Sequence, residues 1–380
     1  MLTDLPNRWV GPINELVKDL GYNGMVLVAD EGDPISDFGK LVFKNTRHVV
    51  DRIIDHMKIT AKIHVAVIVD SAQSFQACAV ELDDDEFCIL IWMAALIRTS
   101  ASLSRLLATP AAREFFALEP ELASVSEVAH GENTFAAYDS LSLLPRIDLG
   151  DVGNDFRRYL EFMASEWLVL HEIGHIVQGH LAVGKTVNGL TYILEQDPSV
   201  DRDYNITSQA LEVDADCFAN LFCVQYSLGR HHILERDGAS HDEVVVGRLK
   251  PYLFSMLSVL RSFDHSPLNL ETLFDSDHPP GCVRMSYLLA QMLTMQSETT
   301  IDFKGANLVE AGGLAAITLE RAISEATGVN SQGGNLLSAV SIPDEVFRKP
   351  VLSRWAKIYP ELNAIKLSPF KLARPQYEPA

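Results

Sequence analysis

The 380-residue sequence lacks the patterns that mark several large classes of protein. It contains no GxGxxG segment, no P-loop, no internal repeat and no heptad array, so no motif indicates a nucleotide site or a coiled coil. Basic residues are few, with 31 Lys and Arg against 51 Asp and Glu and a formal net charge of −20. Because nucleic acid and anionic membrane surfaces repel such a chain, the composition predicts neither as the main partner.

Long apolar runs and a disulfide framework are absent as well. The longest apolar run, residues 87–97, is too short to span a bilayer. The first residues have neither a basic start nor an apolar core, so we expect no signal peptide. The five cysteines are odd in number and form no CxxC pair, which is typical of a reducing compartment. These absences together predict a cytoplasmic protein that does not insert into a membrane.

The most informative segment that is present is His171-Glu172-Ile173-Gly174-His175. Histidines four residues apart on an α-helix project from the same face, so His171 and His175 are candidate ligands of one metal ion. Glu172 would lie beside the metal without binding it, and could accept a proton from a water molecule that the metal activates. The alternative is a surface helix that happens to carry two histidines.

This motif falls within a long helix predicted over residues 156–181, with Asn154 or Asp155 as its cap. A third histidine, His180, follows His171 by nine residues, which is about 180° around a continuous helix. We therefore expect His180 to face away from the metal and to be structural.

A second apolar segment, residues 211–222, supplies an acidic candidate ligand. Its spacing predicts a buried helix on which Glu212 and Asp216 share one face. Two histidines and one glutamate form a known ligand set of catalytic zinc sites, which keep the fourth position open. Asp216 is placed to accept the second N–H of a ligand histidine and so fix its tautomer. The alternative is an ordinary helix with a solvated acidic edge, but acids on an apolar helix are costly unless a partner such as a cation satisfies them.

A third segment, residues 277–284, reads Asp-His-Pro-Pro-Gly-Cys-Val-Arg. The two prolines stop any helix and hold His278 on a stiff turn. His278 could donate a hydrogen bond to the oxyanion of a tetrahedral intermediate, or could merely belong to a structural loop. Tyr192 and Tyr204 are alternative donors. Arg284, at the start of the next predicted helix, could hold the turn or bind a carboxylate.

The HExxH helix, the Glu-x-x-Ala-Asp segment and the His-Pro-Pro-x-x-x-Arg segment together resemble the gluzincin metallopeptidases of the HtpX and CAAX-prenyl endopeptidase type. Residues 64–92 resemble the hairpin that precedes the catalytic helix there, although Gln76-Ala77-Cys78-Ala79 replaces the usual Asn-Ala-Phe-Ala. Membrane members of that group carry transmembrane helices, which this sequence does not indicate. Lit-type phage-exclusion and ImmA-type repressor-cleaving peptidases share a similar layout and compete with this assignment.

The resemblance implies an α+β, zincin-like fold in which a small antiparallel or mixed sheet packs on the HExxH helix, with further helices around it. It implies three zinc ligands: His171, His175 and Glu212. It further implies that Glu172 is the catalytic acid and base, that Asp216 orients a ligand histidine, and that His278 donates to the transition state.

Three regions are predicted along the chain. Residues 1–153 form an α/β region with the pre-catalytic hairpin and a surface insertion, 154–292 a zinc-binding helical core, and 293–380 a helical extension and tail of unassigned role. The hairpin lies within 63–93 and turns at three consecutive aspartates. Its strand at 86–93 is the predicted sheet edge, to which a substrate would add as a further strand.

The sequence therefore predicts a zinc-dependent endopeptidase that hydrolyses peptide bonds in an intracellular protein substrate. Two alternatives stay open, a regulatory or sensing zinc module that binds a protein partner and a zinc hydrolase of a non-peptide amide. Glu172 argues against the first, because a structural zinc site has no use for an uncoordinated base. The acidic segments 118–153 and 195–203 are candidates for an inhibitory lid. Oligomeric state and cleavage preference are not indicated.

Overall fold

The computed structural model describes residues 2–22, 24–26, 34–69, 76–118, 138, 141–187, 189–194, 201–229, 241–264, 267–295, 305–329, 334–369, 372 and 374–375. Most of the insertion predicted at 118–153 lies outside these residues, as does 195–200 of the second candidate lid. None of the helices in the described part combines the length and apolarity that a bilayer crossing needs.

Helices and one mixed sheet make up the described chain, which confirms the predicted α+β class. The strands are β1 (Met25–Val26), β2 (Lys62–Val69), β3 (Ala77–Asp83), β4 (Glu86–Trp92), β5 (Lys185–Val187) and β6 (Leu190–Leu194). The helices are α1 (Asn7–Asp19), α2 (Pro34–Met57), α3 (Met93–Leu107), α4 (Pro110–Phe116), α5 (Gly150–Val177), α6 (Arg202–Gly229), α7 (His241–Arg261), α8 (Gly281–Thr294), α9 (Gly305–Thr327), α10 (Gly334–Val340) and α11 (Arg348–Ile365).

The six strands follow the order β1-β2-β4-β3-β6-β5. Strands β3 and β4 form the predicted antiparallel hairpin, whose turn includes Asp85 in a left-handed conformation with φ 56°. Strand β2 pairs parallel to β4 on its other side. The prediction that residues 86–93 form a sheet edge is therefore wrong. The apolar residues run continuously through β4, and the strand is buried along its whole length. This pattern is typical of a central strand covered on both faces.

Each face of the sheet packs against a different set of helices. Alternate strand residues such as Cys78 and Leu90 face α1, where Leu16 is buried against them. Their neighbours, such as Ala79 and Ile89, face the larger cluster, which contains the buried residues of α5. That larger cluster also includes buried residues of all three predicted regions of the chain. The helix with the HExxH motif is thus packed between the sheet and the other helices.

Helix α5 differs from its predicted bounds at both ends. It begins at Gly150, so Asn154 and Asp155 lie inside it and the predicted cap is wrong. The Asn154 amide donates instead to Asp148 Oδ1 at 2.6 Å. At the other end the helix stops at Val177, and a 3₁₀ turn over residues 180–183 follows. This early stop changes where His180 lies.

Two glycines allow the close helix contacts that assemble the site. A Cβ on Gly174, between the two motif histidines, would lie 3.2 Å from the Ala215 Cα atom of α6. A Cβ on Gly281, at the start of α8, would lie 2.0 Å from the Leu260 carbonyl oxygen of α7. Both contacts are with backbone, which cannot move aside as a flexible side chain can. The absence of a side chain at these positions therefore brings α5, α6, α7 and α8 together around one centre.

Candidate metal centre

Three buried side chains from α5 and α6 converge on one point. Glu212 Oε2 lies 3.1 Å from His171 Nε2, and Glu212 Oε1 lies 3.1 Å from His175 Nε2. The two imidazole Nε2 atoms are 3.0 Å apart. One donor atom from each residue lies within 4.8 Å of the others, and all three side chains are buried. Two imidazoles and a carboxylate in this arrangement could bind a metal ion, and they suit zinc among others.

The protonation of these donors suits metal binding. Burial lowers the pKa of His175 to about 4, although the Glu212 carboxylate opposes the shift. Burial opposes ionisation of Glu212, but the nearby imidazoles of His278, His175 and His171 hold its pKa well below the ordinary value. Near neutral pH the glutamate is therefore a carboxylate and His175 a neutral imidazole. Metal ligands must be deprotonated in this way.

Glu172 lies on the same helix, next to His171, and only 1% of it is exposed. The sequence predicted a base beside the metal at this position. The structure places the carboxyl group inside the packed interior between α5 and its neighbours, away from bulk solvent.

His278 joins the same centre from the turn before α8. Its Nε2 atom is 3.1 Å from Glu212 Oε1, and its Nδ1 atom is 2.9 Å from Asp277 Oδ1. Burial disfavours the charged ring, but Glu212 and Asp277 raise the pKa of His278 well above its ordinary value. Both ring nitrogens therefore face a carboxylate oxygen. Asp277 was not singled out in the sequence, and its adjacency to His278 was the only signal.

The turn that carries His278 is held by a buried cap. Asp264, at the end of α7, accepts a hydrogen bond from the Cys282 backbone N–H at 3.1 Å. Burial raises the pKa of Asp264 to about 6, although Arg261 opposes the shift. The prolines at 279 and 280 precede this capped helix start, which fixes the direction from which His278 enters the site.

The second nitrogen of His171 contacts Asp216, which forms an ion pair with Arg284. The His171 Nδ1 atom is 2.9 Å from Asp216 Oδ1, where the sequence predicted a carboxylate partner. Arg284 donates to both oxygens of Asp216, from Nε at 2.8 Å and from Nη2 at 2.7 Å. Of the two roles considered for Arg284, the geometry therefore shows carboxylate binding.

His175 is supported by a residue whose orientation was predicted incorrectly. The ring of His180 faces the site, with its Nδ1 atom 3.0 Å from His175 Nδ1. Its Nε2 atom lies 3.2 Å from Asp214 Oδ2. The prediction that His180 faces away assumed a continuous helix. Instead, Gly179 takes a left-handed conformation with φ +81° and turns the chain back toward α5.

The two candidate tyrosines belong to different elements. Tyr192 is on β6 and is buried on the face of the sheet that packs against α1, whereas α5 covers the other face. Tyr204 lies in the first turn of α6 and is half-buried. The structure thus brings His278 to the centre and leaves Tyr192 on the far side of the sheet.

No protein-family model, curated protein or solved structure matches this chain. The assignment of the site therefore depends on its own geometry and chemistry.

Proposed function

We propose that the protein is a zinc-dependent endopeptidase with a zincin-like arrangement of sheet and helices. The observation that carries the proposal is the convergence of His171, His175 and Glu212 in a buried centre, with a buried Glu172 next to His171 in sequence. These three residues would hold the zinc ion. When bound, the ion would supply Lewis acidity to a substrate carbonyl group and to a water molecule.

Glu172 would act as the general base and then as the general acid. Its carboxylate oxygen would accept a proton from the attacking water and deliver that proton to the nitrogen of the leaving amine. Such proton transfer contributes about 10²- to 10⁴-fold to a rate. A purely structural metal centre would gain nothing from a buried carboxyl group next to its first ligand. The position of Glu172 therefore favours hydrolysis over a sensing or regulatory module.

His278 would stabilise the negative charge that develops on the carbonyl oxygen. Its Nε2 atom lies 3.1 Å from Oε1 of the ligand Glu212, while Asp277 holds the other nitrogen. A donor already oriented before the reaction avoids the cost of reorganisation in the transition state. The aspartate thus fixes the ring, and the ring would present its Nε2 N–H to the centre.

A peptide substrate is favoured by the position of an edge strand. Among the described strands, β5 pairs only with β6 and follows directly after the helix and 3₁₀ turn of the site. An extended peptide can add to such an edge through main-chain hydrogen bonds, with side-chain pockets providing selectivity. We therefore place substrate pairing at β5, in place of the strand predicted at 86–93.

The deciding experiment compares wild type with Glu172→Gln. The variant should keep one zinc ion per chain, because Glu172 is not a ligand, and should lose hydrolysis by about 10²-fold or more. New protein N-termini in cells expressing each form would measure the activity and name the substrate. Glu161→Gln, a change of the same kind on the same helix, is the matched control and should behave as wild type. Hydrolysis retained in Glu172→Gln would refute the mechanism.

A further inference from the structure

We infer that His180 and Asp214 are positioning residues for His175, and that they keep its Nε2 atom available to the metal. This inference rests on the proposed metal centre. Two contacts form a line from His175 through His180 to Asp214. His175 Nδ1 lies 3.0 Å from His180 Nδ1, and His180 Nε2 lies 3.2 Å from Asp214 Oδ2. All three side chains are buried, so water does not compete for these bonds.

When both imidazoles are neutral, only one order of protons satisfies this line and leaves Nε2 of His175 to the metal. A neutral imidazole has one N–H donor and one acceptor nitrogen. The Nε2 atom of His175 faces Glu212, so a metal bound there requires the proton of His175 to be on Nδ1. That N–H must then donate to Nδ1 of His180, which places the proton of His180 on Nε2. The carboxylate of Asp214 accepts this last N–H and therefore sets the direction of the whole line.

The alternative tautomer would harm metal binding. If the proton of His175 moved to Nε2, it would occupy the lone pair that a metal needs, and Nδ1 would face Nδ1 of His180 with the donor roles reversed. His180 would then present an acceptor nitrogen to the Asp214 carboxylate, and two acceptors would face each other in a buried place. This arrangement is unfavourable because unsatisfied buried polar groups are costly. Asp214 therefore acts on the metal through two imidazoles.

The C-terminal helix α11 (Arg348–Ile365) holds this line in place. The ring of His180 makes an edge contact with the ring of Trp355, with centroids 6.4 Å apart. After α11, the Ser368 backbone N–H donates to the Val177 carbonyl oxygen at 2.8 Å and so caps the end of α5. A Cβ on Gly179 would lie 3.2 Å from Ile365 Cγ1. The region whose role the sequence did not indicate thus supports the turn that returns His180 to the site.

A histidine that only fills the core would behave differently from a positioning residue. Its removal would lower the free energy of unfolding but would leave the affinity and geometry of the metal centre unchanged. The test therefore measures the metal. Zinc affinity is obtained by competition with a chelator, and the coordination geometry is read from the visible absorption spectrum of the cobalt-substituted protein.

Three variants separate the steps. In His180→Phe no acceptor remains for His175, so zinc affinity should fall about 10- to 100-fold and the cobalt spectrum should shift. In His180→Asn the amide oxygen stands near the former Nδ1 atom and can still accept, so the loss should be smaller than in His180→Phe. In Asp214→Asn the shape is kept and the charge is removed. We expect weaker zinc binding and a shifted cobalt spectrum there too.

His64→Phe is the matched control, because it removes another carboxylate-bonded histidine, one that lies on β2. It should leave zinc affinity unchanged. Unchanged affinity and an unchanged cobalt spectrum in both His180→Phe and Asp214→Asn would overturn the inference while leaving the metal centre intact. Should His180→Phe fail to fold, the nearly isosteric Asp214→Asn decides alone. A wild type that binds no metal, or binds it equally after His171→Ala, would overturn both the centre and the inference.

Discussion

The two sides of the candidate metal centre meet one chemical requirement with different groups. His171 and His175 leave α5 one turn apart, and each needs an acceptor at Nδ1. On one side the acceptor is Asp216, whose charge is balanced by Arg284 from α8. On the other side it is the imidazole of His180, from the turn that follows α5 itself. Both ligand histidines need an acceptor, and the residue that supplies it depends on which segment of the chain lies nearby.

The two sides should also differ in what their disruption costs. Asp216 and Arg284 are 2% and 1% exposed, so each charge depends on the other for compensation. The Asp214 side chain is 6% exposed and its partner is the imidazole of His180. Removing Arg284 therefore leaves a buried carboxylate without its counter-charge, whereas a change at Gly179 displaces the ring of His180 and removes no charge. Three measurements test this contrast and its limits.

The largest effect is expected on the His171 side, from Arg284→Met. The change leaves the Asp216 carboxylate buried without its counter-charge, which typically costs about 3–5 kcal/mol in the free energy of unfolding. Urea unfolding of the metal-free protein measures this. Arg354→Met, which removes the partner of the 73% exposed Asp203, is the matched control and should cost less than about 1 kcal/mol. Equal losses in the free energy of unfolding for Arg284→Met and Arg354→Met would contradict this expectation.

A smaller effect is expected on the His175 side, from Gly179→Ala. The alanine must adopt φ +81°, which costs about 1–2 kcal/mol, and displacement of the turn should weaken zinc binding through His180. Gly189→Ala is the matched control, because Gly189 has the same φ of +81° and open space around its Cβ position. Both variants should lose similar stability in urea. If both also kept the wild-type zinc affinity, the turn at 179 would have no part in supporting the site.

The smallest effect is expected for His64, a histidine that contacts two carboxylates and is not one of the candidate metal ligands. The pKa of His64 is raised, chiefly by the Asp4 carboxylate and further by its hydrogen bond with Glu86, while burial opposes the shift. Arg47 pairs with Asp4 and Arg8 with Glu86, so both carboxylates are shared with a guanidinium group. The stabilisation by His64 is therefore fully present below its ordinary pKa of 6.5 and is lost as the pH rises through the raised value.

His64→Gln should accordingly lower the free energy of unfolding more at about pH 6 than at about pH 9. The exposed His48 provides the control, and His48→Gln should have the same small effect at both values. A cost of His64→Gln that grows with pH would show that the sign of the linkage is wrong.

Local spacing was enough to predict the parts of the site that lie within single elements. The four-residue spacing of His171 with His175, and of Glu212 with Asp216, predicts shared helix faces because helix geometry is local. The β3–β4 hairpin was predicted for the same reason, from its acidic turn. The sheet edge was predicted wrongly, because the hairpin pattern alone does not show that the earlier strand β2 pairs with the other side of β4. The continuous apolar run of β4 was the local sign that this strand is buried.

Residue spacing along the chain is enough to identify the candidate donor set and the residue types that can share one helix face. The completion of the His175 side by His180 and Asp214, and its support by α11, follow only from the folded structure. His180 reaches the centre because a left-handed glycine follows α5, and its ring contacts Trp355 from a distant part of the chain. Periodicity describes neighbours on one helix, whereas a chain reversal and a long-range packing contact are settled only when the whole molecule is folded.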